Sequence, residues 1–441
     1  MEKQRALIIR KLVHLLTGLL ILLLTYTVEP DVLLLLIIAG SVFAFATYPL
    51  NSFRLIHKTT YKSLGTLFYP LGVLSSFLLL ADLPQSYFRI ALLVLIVSDP
   101  LANLFGQIKK RNRFFRVGND LKSLYGLLAY TVSNLVLFYL FLSPSLFGDV
   151  FFVLALLIVS AAFECISWRG SDNLSIPLGL ALFFLFQHYR QPDFLFVSVV
   201  LIVAGAFMYL MHKWKMLSRY GSLAAGFLGF YLLAVAGWNW ILPVLFFFVS
   251  SVLFTKINPQ DSKKSLQVRG RNAWQVLANI LWALLSSVLF LITRNELFIF
   301  LFIAAVAAVT ADTWASEIGP LVNKKSFSVA DWKMHPAGIT GGISLGGTLA
   351  ALAGAFLVSA GSYVLFFDRW NGTIVALLTG SAFLACFADT FLGAFVENKL
   401  QQSPVFKKRK NPESIEPNDL INLAGSFTGL LFFVVLRWLV L

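Results

Sequence analysis

The sequence is poor in charged residues and in cysteine. Charged side chains account for 13% of the 441 residues, and the mean hydropathy is +0.80. Because a soluble protein of this length would carry about a quarter charged residues, the composition excludes a soluble globular chain. The two cysteines, Cys165 and Cys386, are too few for a disulfide framework. The sequence therefore indicates a polytopic membrane protein.

Long apolar runs occupy most of the chain. There are about fifteen of them, each close to the ~20 residues that cross a bilayer as a helix. Since backbone groups in lipid must be satisfied within the segment, the runs predict an all-α fold, a bundle of about fifteen transmembrane helices. The first run lacks the small-residue cleavage site of a removable signal. The runs lie at 6–27, 32–50, 65–81, 87–108, 122–142, 149–166, 172–188, 193–212, 219–236, 239–256, 272–293, 296–318, 341–365, 373–396 and 419–440.

Basic residues are concentrated in alternate loops. If the N-terminus is cytoplasmic, all but five of the 35 Lys and Arg residues lie on the cytoplasmic side or at its edge. The positive-inside rule then predicts a cytoplasmic N-terminus and a C-terminus on the opposite side. Because the charges are spread over short loops, the net charge of +14 predicts contacts with anionic lipid headgroups or nucleotide phosphates rather than with nucleic acid. The sequence leaves the oligomeric state open.

Four features recur in the same order in two parts of the chain. An even number of spans separates each feature from its counterpart, which predicts two parallel-related halves. The halves are residues 1–190 and 215–441, with a connecting transmembrane helix at 191–214. The four pairs are acidic helix ends (98–106 and 310–319), glycine-containing span starts (119–130 and 335–347), further acids (Glu164 and Asp389) and Asp–Asn helix starts (171–177 and 417–425).

Each half would gather its polar residues into a ring at the inner ends of its spans. An ionisable residue next to lipid is costly and by default indicates function, although solvated helix ends are the alternative. The first ring would contain Asp99, Asn103, Lys122, Ser123, Glu164, Asp172 and Asn173. The second ring would contain Asp312, Ser316, Glu317, Thr340, Asp389, Asn418, Asp419 and Asn422. Further candidates for substrate or nucleotide binding are Gly126, Gly341 and Gly342.

Such rings are suited to a metal-assisted phosphoryl transfer. Facing carboxylates repel unless cations neutralise them, and hard oxygen ligands without clustered His or Cys favour Mg²⁺ over zinc. The stretch GITGGISLGG (338–347) could offer backbone N–H groups to a phosphate, or it could serve close helix packing. Lys122 could bind a phosphate in the first half, or it could be a lysine at the membrane edge that only extends its charged end into water. A membrane-edge site predicts a lipid alcohol or lipid phosphate as acceptor and a nucleotide as donor.

Two stretches of the chain resemble known families. Residues 5–190 resemble the dolichol kinase and phytol kinase family in RKLVHLLTG, SDPLANLFG, KSLYGLLA and ECISWRGSDNLSIP. Residues 215–441 resemble the membrane family that includes plant phytyl-phosphate kinase in FFFVSSVLFTK, RGRNAWQVLAN, ADTWASEIG, GITGGISLGG, FADTFLGA and NDLINLAGS. The resemblance implies a fusion that phosphorylates an isoprenoid alcohol, such as phytol or geranylgeraniol, first to the monophosphate and then to the diphosphate. It implies CTP, or another nucleoside triphosphate, as the donor.

The resemblance also implies roles for residues at the matching positions. Implied magnesium ligands and catalytic carboxylates are Asp99, Asp172, Asp312 and Asp389, with Glu164, Glu317 and Asp419 as supporting ligands or bases. Implied metal-shell or nucleotide contacts are Asn173, Asn418 and Asn422, and implied phosphate clamps are Lys122, Arg269 and Arg271. His14 could be a base, a headgroup contact or an interior histidine.

A secondary transporter is the main alternative to an enzyme. Transporters also contain repeats, broken helices and intramembrane carboxylates. Their carboxylates, however, lie near the membrane midplane, whereas the acids of this sequence are predicted at one membrane face. This placement favours the enzyme.

Overall fold

The computed structural model describes residues 2–48, 65–108, 113–117, 120–167, 170–190, 193–257, 270–397, 399–400 and 415–440. Ten helical segments among these residues are long and apolar enough to cross a membrane. Three shorter apolar helices occur at Leu12–Thr27, Gly65–Leu79 and Val150–Cys165. The prediction of an all-α polytopic membrane protein is therefore confirmed. Helix is present in each of the fifteen predicted segments, while the number of spans that cross the membrane stays a prediction.

The chain forms two compact units, Met1–Val199 and Val200–Leu441. The first unit contains the helices α1 (Glu2–Thr27), α2 (Pro30–Thr47), α3 (Gly65–Leu79), α4 (Gln85–Leu93), α5 (Asp99–Gly106), α6 (Leu124–Phe141), α7 (Pro144–Phe147), α8 (Val150–Ile166) and α9 (Asp172–Arg190). The next helix, α10 (Phe194–Lys213), contains the boundary between the units. The three-part division of the chain and the parallel relation of its halves stay predictions.

The second unit continues with seven helices among its described residues. They are α11 (Arg219–Tyr231), α12 (Trp238–Ile257), α13 (Ala273–Thr293), α14 (Leu297–Val322), α15 (Leu345–Phe366), α16 (Gly372–Leu392) and α17 (Pro417–Val440). Helix α14 is buried on nearly every side and packs against α12, α13, α15, α16 and α17. Its middle is rich in alanine because small side chains let neighbouring helices approach closely.

A π-helical turn joins α4 to α5 and precedes the first carboxylate of the acidic motif. This turn, Val94–Ser98, comes directly before Asp99. Pro100 has no amide N–H to offer the carbonyl of Ile96, and its ring crowds that carbonyl, which favours a widened turn. Asp99 is buried, with 8% of its surface exposed.

Two small antiparallel sheets connect spans, which the sequence did not predict. In the first unit, strands β1 (Phe114–Val117) and β2 (Asp120–Ser123) pair with each other. In the second unit, strands β3 (Lys325–Ser328), β4 (Met334–Pro336) and β5 (Gly342–Ile343) form a sheet in the order β4-β3-β5. The pairing satisfies backbone groups that would otherwise lack partners between the spans.

The structure corrects the predicted helix start in the glycine-rich stretch of the second unit. Gly341 has a φ of +75°, a left-handed conformation, and the next two residues belong to β5, so that helix α15 begins only at Leu345. Its N-cap is Ser344, whose Oγ accepts a hydrogen bond from the backbone N–H of Gly347 at 3.1 Å. In the first unit, the N-cap of α6 is Ser123, and the N–H of Gly126 donates to its Oγ, also at 3.1 Å.

Candidate functional site

Three carboxylates meet in the first unit. Asp99 begins α5, Glu164 lies near the end of α8, and Asp172 begins α9. One carboxylate oxygen from each lies within 4.8 Å of the others. The structure therefore brings together three residues that are distant in the sequence, in a geometry that one metal ion could bridge.

Lys122 lies among these carboxylates. Its Nζ is 2.6 Å from Oε1 of Glu164 and 4.0 Å from Oδ2 of Asp172. Burial by itself would lower the pKa of Lys122, but the two negative charges outweigh this effect and raise the pKa above its ordinary value. The lysine is thus a protonated counter-charge within the cluster, and the predicted phosphate clamp already has protein partners.

Replacing Lys122 by Met would leave buried carboxylates without their counter-charge. We expect Lys122→Met to lower the free energy of unfolding by about 3 kcal/mol, as when one partner of a buried ion pair is removed. Adding Glu164→Gln to the same chain should restore most of the loss, since the unpaired carboxylate is then gone. Thermal unfolding in detergent measures both effects. A single variant as stable as the wild type would contradict the pairing.

A cavity of about 620 Å³ with both polar and apolar walls opens beside the cluster. Asn103 lines it, and the side-chain amide of Asn103 donates to the backbone carbonyl of Asp99 at 3.0 Å and to Oδ1 of Asp99 at 3.1 Å. This contact fixes the orientation of the Asp99 carboxylate. Other predicted residues in the lining are Lys122, Ser123, Gly126 and Glu164.

Asn173 does not join the carboxylates. Its side-chain amide donates to the backbone carbonyl of Gly65 at 3.1 Å, which ties α9 to α3. Its backbone N–H donates to Oδ1 of Asp172 at 2.9 Å. Asn173 therefore orients Asp172 and holds two helices together, and its role in the metal shell or in nucleotide binding stays a prediction.

The second unit contains a polar cavity of about 360 Å³. The segment that leads from β4 through β5 into α15 provides part of its lining with backbone atoms and small side chains. Sequence-predicted residues that line this cavity are Arg271, Asp312, Ser316, Glu317, Thr340, Gly341, Gly342, Asp389, Asn418 and Asn422. Most of the second predicted ring is thus gathered around one cavity.

Asp312 of α14 and Asp389 of α16 are in hydrogen-bonding contact. Together with Asn279 and Asn422 they line a void of about 10 Å³, close to the space of one water molecule or small ion. Gly425 of α17 makes room for this pair, since a Cβ there would lie within 3.0 Å of three Asp389 side-chain atoms.

Glu317 is linked to Arg271 through a hydroxyl group. The Oγ1 of Thr255 donates to Oε1 of Glu317 at 2.7 Å, and Nη2 of Arg271 approaches the same hydroxyl at 3.4 Å. Arg271 also donates to Oγ of Ser251 at 2.5 Å. Burial lowers the pKa of Arg271, and the charge of Glu317 opposes this effect. Arg269, the other predicted clamp, lies outside the described residues.

Asp419 has a structural role that the sequence did not predict. Its Oδ2 accepts a hydrogen bond from the backbone N–H of Glu416 at 2.7 Å, which caps the start of α17. The residue is 2% exposed and is absent from the cavity lining, unlike Asn418 and Asn422. Asp419 therefore caps this helix through Oδ2, and its role as a ligand stays a prediction.

Gln275 and Asn279 line the second cavity but were missed by the sequence interpretation. They are four residues apart within α13, so both lie on one side of the start of this helix. Polar residues with this spacing in an otherwise apolar helix were the signal that could have identified them.

Both units share a close helix crossing next to their first carboxylate. In the first unit, a Cβ on Gly126 would lie 2.7 Å from the carbonyl oxygen of Ala102. In the second unit, a Cβ on Gly347 would lie 3.0 Å from the carbonyl oxygen of Ala315. The serine-capped helix therefore approaches the carboxylate-bearing helix in the same way in each unit.

Comparison with known proteins identifies the family. The pattern of the integral membrane protein DUF92 family matches residues 202–429, more than half of the chain. The chain belongs to this DUF92 family. The match covers every residue of the second cavity named above, from Arg271 to Asn422.

Three relatives extend the comparison beyond the DUF92 pattern. The chain is 33% identical over 206 residues to an uncharacterised membrane protein of Methanocaldococcus jannaschii, covering 46% of this chain and 84% of the relative. It is 35% identical over 145 residues to phytol kinase of Synechocystis sp., covering 32% of this chain and 61% of the relative. It is 30% identical over 106 residues to the chloroplastic protein VTE6 of Arabidopsis thaliana, covering 24% of this chain and 31% of the relative. No solved structure matches the chain.

Proposed function

We propose that this DUF92 member is a tandem membrane kinase for isoprenoid alcohols. The first unit would form the monophosphate of phytol, geranylgeraniol or a similar alcohol, and the second unit would form the diphosphate. The observation that carries the proposal is the recurrence, in both units, of buried carboxylates beside a cavity and a serine-capped, glycine-packed helix start. The similarity to a phytol kinase supports a prenyl alcohol as the acceptor.

The carboxylates of both units fit magnesium. In the first unit, Asp99, Glu164 and Asp172 offer three hard oxygen ligands within 4.8 Å of one another. In the second unit, Asp312 and Asp389 face an ion-sized void. Bound Mg²⁺ would neutralise the charge on the phosphate oxygens of the nucleotide.

In the first unit, the protein groups would orient the alcohol and take its proton. The alcohol oxygen attacks the γ-phosphorus of a nucleoside triphosphate, for which CTP is our first candidate. The bond from this phosphorus to the bridging oxygen then breaks, and the nucleoside diphosphate leaves. A carboxylate of Asp99 or Glu164 accepts the alcohol proton, while Lys122 limits the repulsion between the carboxylates and the incoming phosphates.

In the second unit, the phosphate oxygen of the monophosphate would attack the γ-phosphorus of another nucleotide. Backbone N–H groups of residues 338–341, at the beginning of the glycine-rich stretch, could donate to phosphate oxygens. Asn418 and Asn422 lie at the start of α17, where side-chain amides and the helix N-terminus both favour an anion. We place both sites on the cytoplasmic side, where nucleotides are available, in keeping with the distribution of Lys and Arg.

The test uses purified protein in detergent with free alcohol and a nucleotide. We expect Mg²⁺ with CTP and geranylgeraniol or phytol to yield both the monophosphate and the diphosphate, read by lipid mass spectrometry. Chelation of the metal should reduce product formation at least about 100-fold, and added Mg²⁺ should restore it. Monophosphate alone would refute the tandem activity. No product with any nucleotide would refute the kinase and favour a transporter.

A further inference from the structure

An apolar slot of about 240 Å³ lies in the second unit among helices α10, α11, α12 and α13. Nearly all of its wall is aliphatic or aromatic, including Phe207, Trp238 and Phe248. Arg271 and Asn279 also line the slot, and we call the part of the slot next to them its polar end. The rest of the wall is apolar.

The polar end of the slot is shared with the second cavity. Arg271 and Asn279 line both spaces, and Asn279 also lines the void beside Asp312 and Asp389. A ligand that fills both spaces must therefore be amphipathic, with an anionic head beside Arg271 and an apolar body in the slot. A phosphate suits the head position, because guanidinium and amide groups are donors that phosphate oxygens accept.

We propose that this slot binds the hydrocarbon chain of the isoprenoid monophosphate whose phosphate lies in the second cavity. The proposal rests on the kinase function above and adds the position of the lipid chain. A single slot suits a single chain, whereas a two-chain glycerolipid would need a second groove at the same polar end. Aromatic and aliphatic walls suit a methyl-branched hydrocarbon chain, because they contact it without leaving a buried polar group unpaired.

Gly229 offers a way to shorten the slot without disturbing the fold. It lies in α11 and lines the slot, and a Cβ there would meet only Cδ1 of Ile241, at 3.9 Å. The side chain of Gly229→Leu would therefore extend into the slot rather than into packed backbone. Gly361→Leu is the matched control, because Gly361 lies on α15 and a Cβ there would meet nothing within 4 Å.

We expect Gly229→Leu to change the preference for chain length. With geranylgeranyl monophosphate as acceptor, kcat/KM should fall at least about tenfold, whereas with the shorter geranyl monophosphate it should stay within about twofold. Gly361→Leu should match the wild type with both acceptors. An equal fall with both acceptors, or no fall with either, would show that the chain binds elsewhere while the kinase function stands.

A binding measurement separates this inference from the proposed reaction. Geranylgeranyl monophosphate carrying a diazirine at the end of its chain is photolysed with the full-length protein without nucleotide, and the labelled peptides are mapped by mass spectrometry. We expect labels in α10, α11 or α12 that are lost in Gly229→Leu and kept in Gly361→Leu. Labels confined to other helices would overturn the inference. Labels in the slot without any phosphorylated product would support the slot and refute the kinase.

Discussion

Asp99→Asn is expected to reduce monophosphate formation from the free alcohol at least about 100-fold. Asparagine keeps the size of the side chain but removes the negative charge from a buried position that lies within 4.8 Å of Glu164 and Asp172. The cluster then loses both a metal ligand and a candidate proton acceptor. Geranylgeraniol with CTP and Mg²⁺, followed by mass spectrometry, measures the loss.

Two controls make the Asp99→Asn result specific. The variant should still convert supplied geranylgeranyl monophosphate to the diphosphate, since the second unit is unchanged. Asp149→Asn should keep full activity, because Asp149 caps α8 at the end away from Glu164 and asparagine caps a helix as well as aspartate. Normal monophosphate formation by Asp99→Asn would exclude the first cluster as the catalytic site.

Asp312→Asn is expected to stop the second step and to make the monophosphate accumulate. The substitution removes a charge from the Asp312–Asp389 pair, so the ion-sized void between them would lose a ligand. We expect diphosphate formation from supplied monophosphate to fall at least about 100-fold, while monophosphate formation from the alcohol stays at the wild-type rate. A time course of both lipid products measures the two steps together.

The exposed Asp368 supplies the matched control for the second unit. Asp368→Asn lies in the loop between α15 and α16, outside the lining of the second cavity, and should form both products normally. If Asp312→Asn still made diphosphate at the wild-type rate, the second cavity would not be the site of the second transfer. If both products disappeared together, the two steps would share one site.

Helical segments and many of the polar residues near each cavity could be predicted from the sequence alone. A run of apolar residues about 20 long fixes a helix locally, whatever packs against it. Charged residues at the ends of such runs are so costly next to lipid that they identify polar sites without any knowledge of the fold. Asp99 and Asp312 were found on this basis, and the structure places Asp99 in the carboxylate cluster of the first unit and Asp312 in the lining of the second cavity.

Partnerships between distant residues could not be predicted in this way. Lys122 and Glu164 are 42 residues apart, and Thr255 and Glu317 are 62 residues apart. The repeat of a single helix or strand therefore does not relate the two partners of either pair. From the sequence, a basic residue that binds a phosphate cannot be distinguished from a basic residue that pairs with a carboxylate. Only the packing of helices decides between these roles, and in the first unit it pairs Lys122 with carboxylates.

The small sheets escaped prediction for a different reason. Strands of two to four residues are too short for an alternating pattern to stand out. The glycine-rich stretch suggested a helix start, but the left-handed backbone at Gly341 requires a turn before the helix can begin. The same limit applies to Asp419, since an acidic residue in a first helical turn can cap the helix or bind a ligand with no difference in sequence.

The burial of α14 has a consequence for biogenesis. Its 26 residues are hydrophobic enough to enter the bilayer as a single segment, yet most of its surface is covered by protein in the folded state. The segment must therefore be soluble in lipid at first and exchange lipid for protein neighbours afterwards. Leucine in place of its central alanines would favour insertion but would hinder this exchange. The alanine-rich sequence thus suits both environments of the segment, first lipid and then protein. Asp312 contacts its partner Asp389 only after the segment has packed against the other helices.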